Sequence, residues 1–435
     1  MINVLYANEK KGEYPNSYYL ASADPLPPFP VLKGEHKADV CIIGAGFCGL
    51  STALHLAQRG YNVAILDAHR IGWGASGRNG GQVGSGQRVD QQSLADMVGP
   101  EDARKLWFLG QEAKQLVAKM IDQYSIDCDY QSGVMEVNHR RRFGHETEQY
   151  VDFLRSEYGY EHISFVPEDE LREILATDAY FNGTLDVGAG HLHPLRYAVG
   201  LAKACRDHGV TFFEQSQALD IQESNKVVVK TDGGQVTADH VVLAANGYVG
   251  GLNKHTADRV MPINNFVIAT EPLDDDLAQS LISNNAAIAD SNFVINYYRL
   301  SSDKRMLWGG RESYRYRFPQ DVKSYVRAAM LRIYPQMEKV RVDYGWGGVV
   351  GVTMNRMPHF EWLSHRILTM GGYSGHGVAL ATLAGSLGAD AIAGSAERFS
   401  LMERVPTTAF PGGAALRLPL LALGMAYYSL RDRLP

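Results

Sequence analysis

The stretch ADVCIIGAGFCGLSTALHLAQRGYNVAILDA, residues 38–68, decides the fold of this chain. Its apolar run VCII predicts a buried strand, and the small and apolar side chains that follow recur at helical spacing. A second apolar run, VAIL, predicts a neighbouring strand that ends in Asp67. The turn between the first strand and the helix carries a GxGxxG pattern formed by Gly44, Gly46 and Gly49. Strand, glycine turn, helix, strand and terminal acid in this order predict a Rossmann-type dinucleotide site.

Each position in this motif has a mechanical reason. Gly44 allows a tight turn, Gly46 lets the backbone approach a pyrophosphate, and Gly49 permits close packing of helix and sheet. The free N–H groups at the start of the helix attract the anion, and Asp67 can accept hydrogen bonds from both ribose hydroxyls of an adenosine. We expect this stretch to bind the cofactor through Gly44, Gly46, Phe47, Cys48, Gly49, Asp67 and Ala68.

Length, charge and cysteine content narrow the class of protein. The 435 residues suffice for about two domains. A content of 45% hydrophobic and 21% charged residues is typical of a soluble globular protein. The net charge of −6 argues against nucleic acid as the main partner. The chain opens without an apolar leader, and its four cysteines form neither a CxxC pair nor a zinc spacing, so we expect a cytoplasmic protein without a metal site.

One apolar segment near the end of the chain, residues 414–430, is interrupted by Arg417 and Pro419. It falls short of the uninterrupted apolar length that spans a bilayer. We interpret it as an element that packs on the body of the protein or on another subunit, and contact with a membrane surface is the alternative. The sequence does not define an oligomeric state.

A second glycine-rich loop, HRIGWGASGRNGGQVGSG, covers residues 69–86 directly after the acid. Because it is rich in hydrogen-bond donors and accessible backbone, it indicates a cofactor that continues past its adenosine half and is enclosed by the protein. An NAD dehydrogenase needs no such loop there, and a terminal Asp disfavours NADP, so the loop favours FAD. The positions expected to contact the cofactor or the active site are Ser76, Gly77, Arg78, Asn79, Gly80, Gly81 and Gln82.

Two later segments return to the nucleotide site. Residues 226–248 predict a hairpin followed by a buried strand, VVLAA, that closes over the cofactor. Residues 366–394 predict a strand, the turn GYSGHG and a helix whose N-terminus faces the negative charge that a reduced flavin gains at N1 and C2=O. The expected cofactor contacts in this later part of the chain are Ala218, Ala245, Asn246, Gly247, Gly372, Ser374, Gly375, His376 and Gly377.

Together, the GAGFCG turn with Asp67, the GASGRNGGQ loop, VVLAANGY and GYSGHG resemble the D-amino-acid oxidase-like FAD oxidoreductases, the group that includes glycine and sarcosine oxidases. The resemblance extends over nearly the whole chain. It implies an α/β protein with a Rossmann-type FAD-binding domain and a discontinuous α+β substrate domain built on an antiparallel sheet. The implied segments are an N-terminal extension (1–36), three parts of the FAD-binding domain (37–100, 187–251 and 339–400), two parts of the substrate domain (101–186 and 252–338) and a C-terminal tail (401–435).

The amino-acid oxidases of this family carry an arginine that grips the substrate carboxylate, in a Gly-x-Arg-Pro setting before the late glycine turn. Here the corresponding stretch is WGGVVGVTMNRMPHF, and alignment on Pro358 places Val350 at the arginine and Asn355 at the following acid. This departure argues against an α-amino acid bound in the usual way and favours a primary amine without an adjacent carboxylate. Stretches such as IATEPL and FPGG resemble a subgroup of the family that oxidises glutamylated putrescine. This resemblance implies that the substrate is the free amine of a glutamylated putrescine. Arg356 is either a displaced carboxylate ligand or an arginine paired near the surface or with the flavin loop.

Candidate side chains for the substrate pocket come from three places. Tyr297 and Tyr298 end a strand expected to face the flavin, where an aromatic wall suits a polyamine stem and its cation. Strand alternation places one of the two inside, and the pattern does not say which. His376 shapes the glycine turn or contacts flavin or substrate with its ring, and Trp346 contacts substrate or belongs to the core. His69 is a candidate for covalent flavin attachment, but we expect a dissociable FAD.

We expect a hydride to pass from the carbon next to the amine to flavin N5, and the resulting imine to be hydrolysed to aldehyde and ammonia. O2, giving peroxide, or another acceptor then reoxidises the flavin, and the sequence leaves both open. A sarcosine or amino-acid oxidase or dehydrogenase of the same family is the alternative in chemistry. A flavin-binding sensor or subunit without turnover is the alternative from another class, and the late glycine turns oppose an NAD-dependent dehydrogenase.

Overall fold

The computed structural model describes residues 3–313 and 316–413. In chain order its strands are β1 (Gly34–Lys37), β2 (Val40–Ile43), β3 (Val63–Leu66), β4 (Gln82–Val83), β5 (Gln131–Asn138), β6 (Ile163–Val166), β7 (Asn182–His191), β8 (Thr211–Phe213), β9 (Asp220–Glu223), β10 (Val227–Lys230), β11 (Gly234–Ala238), β12 (His240–Leu243), β13 (Met261–Thr270), β14 (Ala287–Asp290), β15 (Tyr297–Leu300), β16 (Met306–Ser313), β17 (Val342–Val352), β18 (His359–Trp362) and β19 (Ile367–Gly371). Its α-helices are α1 (Tyr18–Ser22), α2 (Phe47–Ala57), α3 (Gln91–Val98), α4 (Pro100–Gln123), α5 (Gly144–Tyr158), α6 (Glu168–Ile174), α7 (Pro194–Asp207), α8 (Lys254–Arg259), α9 (Asp275–Leu281), α10 (Val322–Ile333), α11 (Gly377–Ile392) and α12 (Glu397–Glu403).

The first strand of the dinucleotide motif lies inside a central sheet with the order β18-β19-β12-β2-β3-β8. All neighbouring strands in it run parallel except β18, which pairs antiparallel with β19 at the edge. Both faces of β2 are buried, because Val40 and Ile42 pack among helices while Cys41 and Ile43 pack against a second sheet. Burial on both faces explains why this strand is apolar at every position.

Different layers cover the two faces of the central sheet. Helices α2, α4, α7 and α11 pack together over one face and form the largest hydrophobic core. The small sheet β1-β11-β10-β9 covers the other face. Helix α11 lies so close to α2 that a Cβ on Gly385 would meet the backbone N of Thr52 at 2.5 Å. The small residues on the packed face of α11 therefore allow a close contact with α2.

A nine-stranded sheet builds the other half of the molecule, in the order β17-β13-β16-β15-β14-β5-β7-β4 with β6 paired to β7. It is antiparallel apart from the parallel pair of β14 and β5. One face packs on α10 and neighbouring elements through side chains such as Met135, Ile288 and Trp308. The opposite face turns toward the central sheet and lines a cavity. The α/β fold class with an antiparallel sheet in the second half is thus confirmed.

The proposed division into domains stays a prediction. Strand β7 crosses the proposed boundary between residues 186 and 187. Helix α4, which the division assigns to the substrate domain, packs with α2 and α11 in the helical layer over the central sheet. The predicted hairpin of residues 226–248 is present as β10 and β11, and the predicted helix after the GYSGHG turn is present as α11.

The N-terminal extension lies across the glycine-rich loop. Glu9 forms an ion pair with Arg78, the hydroxyl of Tyr14 donates to the carbonyl of Ile71, and the carbonyl of Leu5 lies 2.8 Å from the His69 ring. The apolar segment 414–430 lies outside the described residues, as does most of the proposed tail. Among the helices of the described ranges, none is long and apolar enough to cross a bilayer.

Candidate active site

A cavity of about 1110 Å³ lies between the central sheet and the nine-stranded sheet. Its size accommodates a large ligand together with a smaller one. Most of the predicted cofactor contacts lie on its wall. They are Gly44, Gly46, Phe47, Cys48, Asp67, Ala68, Ser76, Arg78, Asn79, Gly80, Gly81, Gln82, Ala218, Ala245, Asn246, Gly247, Ser374, Gly375, His376 and Gly377.

The GxGxxG turn has space for backbone only. Gly44 has a φ of +112°, and a Cβ there would lie 2.8 Å from the carbonyl oxygen of Ala244. A Cβ on Gly46 would lie 2.8 Å from Oγ of Ser76. Gly46 is the N-cap of α2 and gives the helix no side-chain cap, so the helix N-terminus opens toward the cavity. Such an N-terminus attracts an anion.

Asp67 stands at the end of β3, as the sequence predicts. Its Oδ2 accepts a hydrogen bond from the backbone N–H of Ala45 at 2.8 Å, and its Oδ1 accepts one from the N–H of His69 at 2.7 Å. Burial raises the pKa of Asp67 to about 6, although both backbone hydrogen bonds favour the ionised form. The carboxylate is therefore held at a fixed position on the cavity wall beside the glycine turn.

The glycine-rich loop folds back on itself and onto α2. Oγ of Ser76 accepts from the N–H of Phe47 at 3.0 Å. The Asn79 side chain accepts from the N–H of Gly81 at 2.7 Å and donates to two carbonyls earlier in the loop. Gln82 donates to the carbonyl of Ile288 at 3.1 Å, which fixes the end of the loop to the nine-stranded sheet. These internal bonds shape a wall of backbone along the cavity.

Arg78 uses most of its guanidinium to join three parts of the chain. Its Nη1 donates to Glu9 at 2.7 Å and to the carbonyl of Gly347 at 2.9 Å, and its Nε donates to the carbonyl of Trp73 at 2.5 Å. The guanidinium also lies over the Trp73 ring at 4.2 Å. Arg78 thus connects the N-terminal extension, the loop and β17, in addition to lining the cavity.

The two later turns are tied to each other beside the cavity. Asn246, which has a φ of +48°, accepts a hydrogen bond from the N–H of Gly372 at 2.8 Å. Ser374 has a φ of +51°, and its N–H donates to the carbonyl of Gly351 on β17. Non-glycine residues rarely adopt the left-handed region, so the surrounding structure must hold the backbone of these two turns in a conformation that the residues do not prefer.

His376 is the N-cap of α11 and gives that helix no side-chain cap. A second helix N-terminus therefore opens at the cavity. The His376 ring lies against Gly84, where a Cβ would be 2.4 Å from Cε1, and its Nε2 is buried without a hydrogen-bond partner among the described residues. Burial and the neighbouring Arg88 lower the pKa of His376 to about 4, so the ring is neutral at physiological pH.

Of the four substrate-pocket candidates, Tyr297 and His376 line the cavity. The Tyr297 ring packs against Gly80 and its hydroxyl donates to Oδ1 of Asn265 at 2.5 Å. Tyr298 points to the opposite face of the sheet, where it is 1% exposed and stacks on Trp308 with ring centroids 4.1 Å apart. Of the pair, Tyr297 is therefore the one that faces the cavity, and alternation along β15 directs Tyr298 into the core.

Trp346 does not line the cavity either. It is 3% exposed, packs edge-on against Tyr19, and donates from Nε1 to the carbonyl of Arg78 at 3.0 Å. Of the two alternatives for Trp346, its position agrees with the core, because the N-terminal extension covers this side of β17. Asn355 also turns away, donating to the carbonyl of Pro406 at 2.6 Å.

Three predicted cofactor glycines lie behind the cavity wall. A Cβ on Gly49 would be 1.9 Å from the carbonyl oxygen of Gly44, and a Cβ on Gly77 would be 2.2 Å from that of Gly72. A Cβ on Gly372 would be 2.5 Å from Cγ2 of Thr353. The expectation of direct cofactor contact is corrected for these three positions, which are glycine because backbone or side chains pack directly against them.

His69 is engaged away from the cavity. Its ring stacks on Trp73 at 3.6 Å, accepts from the N–H of Gly12 at Nδ1 and lies 2.8 Å from the carbonyl of Leu5 at Nε2. Cys48 does line the cavity, but burial raises the pKa of its thiol to about 12.

The sequence reasoning missed a polar network beside the cavity, in which Ser85, Tyr160 and Asp186 line the wall and Lys114 bonds to the first two. Lys114 donates to Ser85 at 2.6 Å and to the Tyr160 hydroxyl at 2.8 Å, and Tyr160 in turn donates to Asp186 at 2.6 Å. Burial lowers the pKa of Lys114 to about 8, and the nearby Asp186 opposes this. The only signal for Asp186 in the sequence is its alternation with apolar residues on β7, which becomes informative once the sheet register is known.

Arg88, Glu136 and Arg356 also lie on the wall. The sequence reasoning missed Arg88 and Glu136, whereas it considered Arg356 as a displaced carboxylate ligand. Arg88 follows the glycine-rich loop and donates from Nε to the carbonyl of Ser374 at 2.8 Å. Glu136 projects from β5 into the cavity, and Arg356 follows β17. These residues lie far apart in the sequence, so only the fold brings them together.

A group of three possible metal ligands lies away from this cavity. The ligand atoms of His255, His359 and Glu361 lie within 4.8 Å of one another. His255 already lies 2.7 Å from the Glu361 carboxylate, and His359 contacts the hydroxyl of Thr407 through Nδ1 at 2.6 Å. The group joins α8 to the edge strand β18.

Residues 39–391 match the family model described as FAD dependent oxidoreductase, DAO. The chain belongs to this DAO family of FAD-dependent oxidoreductases. Among its relatives, gamma-glutamylputrescine oxidoreductase of Escherichia coli strain K12 is 42% identical over 424 residues, covering 97% of this chain and 99% of that protein.

Two further comparisons agree with this assignment. Probable oxidoreductase OrdL of Rhizobium meliloti strain 1021 is 39% identical over 418 residues, 96% of this chain and 97% of that protein. The crystal structure of glycine oxidase from Geobacillus kaustophilus superposes with a TM-score of 0.68 at 21% identity, covering 86% of this chain and 97% of the other. At this identity the structural likeness supports the fold.

The residues on the cavity wall fit FAD. Two uncapped helix N-termini, at Gly46 and His376, can face the pyrophosphate and the pyrimidine end of the flavin. The Asp67 carboxylate stands where the adenosine ribose belongs, one strand end away from the glycine turn. The cradle at Gly46 would be filled by any Cβ. The cavity therefore has room for a dinucleotide, and the helix N-termini lie where they can stabilise its negative charges.

Proposed function

We propose that this protein oxidises the primary amine of gamma-glutamylputrescine or of a similar glutamylated amine. The observation that carries the proposal is Val350. It lies on β17 and on the cavity wall, at the position where the sequence comparison with amino-acid oxidases of the family expects a carboxylate-binding arginine. An apolar side chain there gives no partner to a carboxylate next to the reacting carbon.

The aromatic part of the wall supports an amine with an apolar stem. The Tyr297 ring is held in place by its hydrogen bond to Asn265 and by contact with Gly80. Methylene groups pack on such a ring, and a cationic amine is attracted to its face. The similarity to the Escherichia coli protein named for gamma-glutamylputrescine agrees with this choice of substrate.

FAD, when bound, supplies the electron chemistry that oxidises the carbon–nitrogen bond. The protein binds the amine, orients it toward the cofactor and excludes water from the site. The uncapped N-terminus of α11 faces the cavity and stabilises negative charge that develops there. His376 at that N-terminus is neutral, because its pKa is lowered to about 4, and so adds no positive charge against a cationic amine.

The cofactor in this proposal is dissociable. His69 is stacked on Trp73 and bonded to the N-terminal extension, and the Cys48 thiol is protonated at physiological pH because burial raises its pKa to about 12. Neither is available as an attacking group for a covalent flavin link. The four cysteines are free and buried, which supports the proposed cytoplasmic location.

The test is product analysis with a panel of amines. Purified yellow protein is incubated in air with gamma-glutamylputrescine, putrescine, sarcosine and glycine, and ammonia, aldehyde and peroxide are measured. We expect ammonia and aldehyde in equal amounts from gamma-glutamylputrescine. If O2 is the acceptor, peroxide forms as well; if it is not, turnover requires an added dye as electron acceptor. Turnover of sarcosine or glycine alone would contradict the proposal, and yellow protein that oxidises no amine would favour a sensor or subunit.

A further inference from the structure

Two of the arginines on the cavity wall, Arg88 and Arg356, differ from Arg78 in that no ion pair of theirs is found in the described part of the chain. Arg88 and Arg356 both line the cavity, and within residues 3–313 and 316–413 neither has a carboxylate at ion-pair distance. Arg88 uses only Nε, in its bond to the carbonyl of Ser374. Arg356 has a φ of +66°, a backbone conformation that is costly for a residue with a Cβ. Two guanidinium groups on one cavity wall, neither of them in an ion pair with a described carboxylate, favour an anionic ligand.

The two guanidinium groups are close enough to influence each other. Burial and the charge of Arg356 both lower the pKa of Arg88, and Glu136 opposes this. Arg88 donates to the carbonyl of Ser374, and the N–H of Arg356 donates to the carbonyl of Thr353, whose own N–H donates to Oγ of Ser374, so both arginines border the late turn. Glu136 lines the same cavity. The bidentate geometry of a guanidinium fits a carboxylate, and two of them surround one.

Glu136 is the complementary group. Its neighbours on the sheet face, Thr184 and Ala289, are its partners in strand register, and all three line the cavity. In the described part of the chain its carboxylate has no hydrogen bond or ion pair. Burial raises the pKa of Glu136, whereas Arg88 lowers it. Asp186 on the same face differs, because it is already bonded to Tyr160 and to backbone N–H groups.

The site of these three residues is separate from the phosphate-binding turn. The pyrophosphate is expected at the N-cap Gly46, whereas Arg88 borders the late turn at Ser374. A flavin carbonyl is neutral in the oxidised state and does not balance two guanidinium groups. A zwitterion with a carboxylate and an ammonium next to each other does, because it offers an anion to the arginines and a cation to Glu136.

We propose that Arg88 and Arg356 bind the α-carboxylate, and Glu136 the α-ammonium, of the amino-acid head of a glutamylated amine. This subsite rests on the proposed function and gives the protein a means to bind a glutamylated amine in preference to the free diamine. The carboxylate of such a substrate is many bonds away from the carbon that is oxidised. Its arginines therefore lie elsewhere in the cavity than Val350.

The test removes each charge from the protein and from the substrate in turn. Arg356→Gln, Arg88→Gln and Glu136→Gln are assayed with gamma-glutamylputrescine, with glutarylputrescine, which lacks the α-ammonium, and with 4-aminobutanoylputrescine, which lacks the α-carboxylate. We expect the arginine variants to lose about 10- to 100-fold in kcat/KM on the two substrates that carry the carboxylate, mainly through KM. Glu136→Gln is expected to lose a similar factor only on the two substrates that carry the ammonium.

Matched controls are the surface variants Arg404→Gln and Glu101→Gln, whose parent side chains pair with Asp102 and Lys105. Equal losses on all three substrates would overturn the subsite. A shift in FAD content or flavin potential without substrate selectivity would also overturn it, since it would place the arginines on the cofactor. Because Arg88 also supports the late turn, Arg356→Gln is the deciding variant. If the wild-type protein does not oxidise gamma-glutamylputrescine, the proposed function itself fails.

Discussion

Asp67 makes FAD binding depend on pH in a way that tests its role. In the protein without cofactor, burial raises the pKa of this carboxyl from 3.8 to about 6. Ribose hydroxyls donate to the ionised carboxylate, so binding at lower pH must first remove a proton. The ionised fraction falls about tenfold between pH 7.5 and pH 5 for a group of this pKa. We therefore expect FAD to bind about tenfold more weakly at pH 5 than at pH 7.5.

The assay is a titration of apoprotein with FAD at constant ionic strength, followed by quenching of flavin fluorescence. Asp67→Asn removes the titrating group and is the control for all other groups. The amide also turns its NH2 toward one of the two backbone N–H groups that the carboxylate accepts from, so the variant binds about 10- to 100-fold more weakly at pH 7.5. Its dependence on pH is expected to be flat. Wild-type affinity that is equal at both pH values, or the same tenfold change in the variant, would refute the ribose role.

The same carboxyl affects the stability of the apoprotein. Its pKa is higher in the folded state than in the unfolded state, so the folded protein binds more protons between pH 4 and pH 6. The free energy of unfolding contributed by this group therefore falls as pH rises through that window, by up to about 3 kcal/mol. Denaturant unfolding of wild type and Asp67→Asn at pH 4.5 and pH 7 measures the difference. A larger loss with rising pH in the variant would contradict the assignment.

Three substitutions test the remaining parts of the site. Gly49→Ala places a Cβ 1.9 Å from a backbone carbonyl and should destabilise the apoprotein by about 3 kcal/mol, whereas Gly46→Ala, at 2.8 Å from a serine hydroxyl, should mainly weaken FAD binding; equal effects of both on unfolding would contradict this. Tyr297→Leu should raise KM for gamma-glutamylputrescine with little loss of stability, and Tyr298→Leu should lower the free energy of unfolding by about 2 to 3 kcal/mol with KM unchanged. Val350→Arg adds a cation to the wall and should raise KM for a cationic amine about tenfold, with Val350→Leu as the size control; an unchanged KM would count against the proposed pocket.

Local patterns in the sequence predict much of the nucleotide half. The GxGxxG turn, Asp67 and the late GYSGHG turn each consist of neighbouring residues whose chemistry is readable without the fold. The glycines that contact other backbone, such as Gly49, look the same in the sequence as Gly46, which faces the cavity. Only the positions of the surrounding atoms separate packing from ligand contact.

The substrate half depends on register and on distant contacts. A two-residue period says that Tyr297 and Tyr298 point to opposite faces, but not which face is buried on α10. Trp346 is removed from the cavity by the N-terminal extension, whose path across β17 has no local signal. Arg88 and Glu136 line the same cavity although they are far apart in the sequence, a relation that only the folded chain shows.

The most direct test of the whole account is anaerobic reduction of the bound flavin. Purified yellow protein is mixed without oxygen with gamma-glutamylputrescine, putrescine, sarcosine or glycine, and the loss of the oxidised flavin absorbance is followed in time. The account predicts rapid bleaching by gamma-glutamylputrescine, slower or weaker bleaching by putrescine and none by the two amino acids. Bleaching by sarcosine or glycine but not by gamma-glutamylputrescine would contradict it.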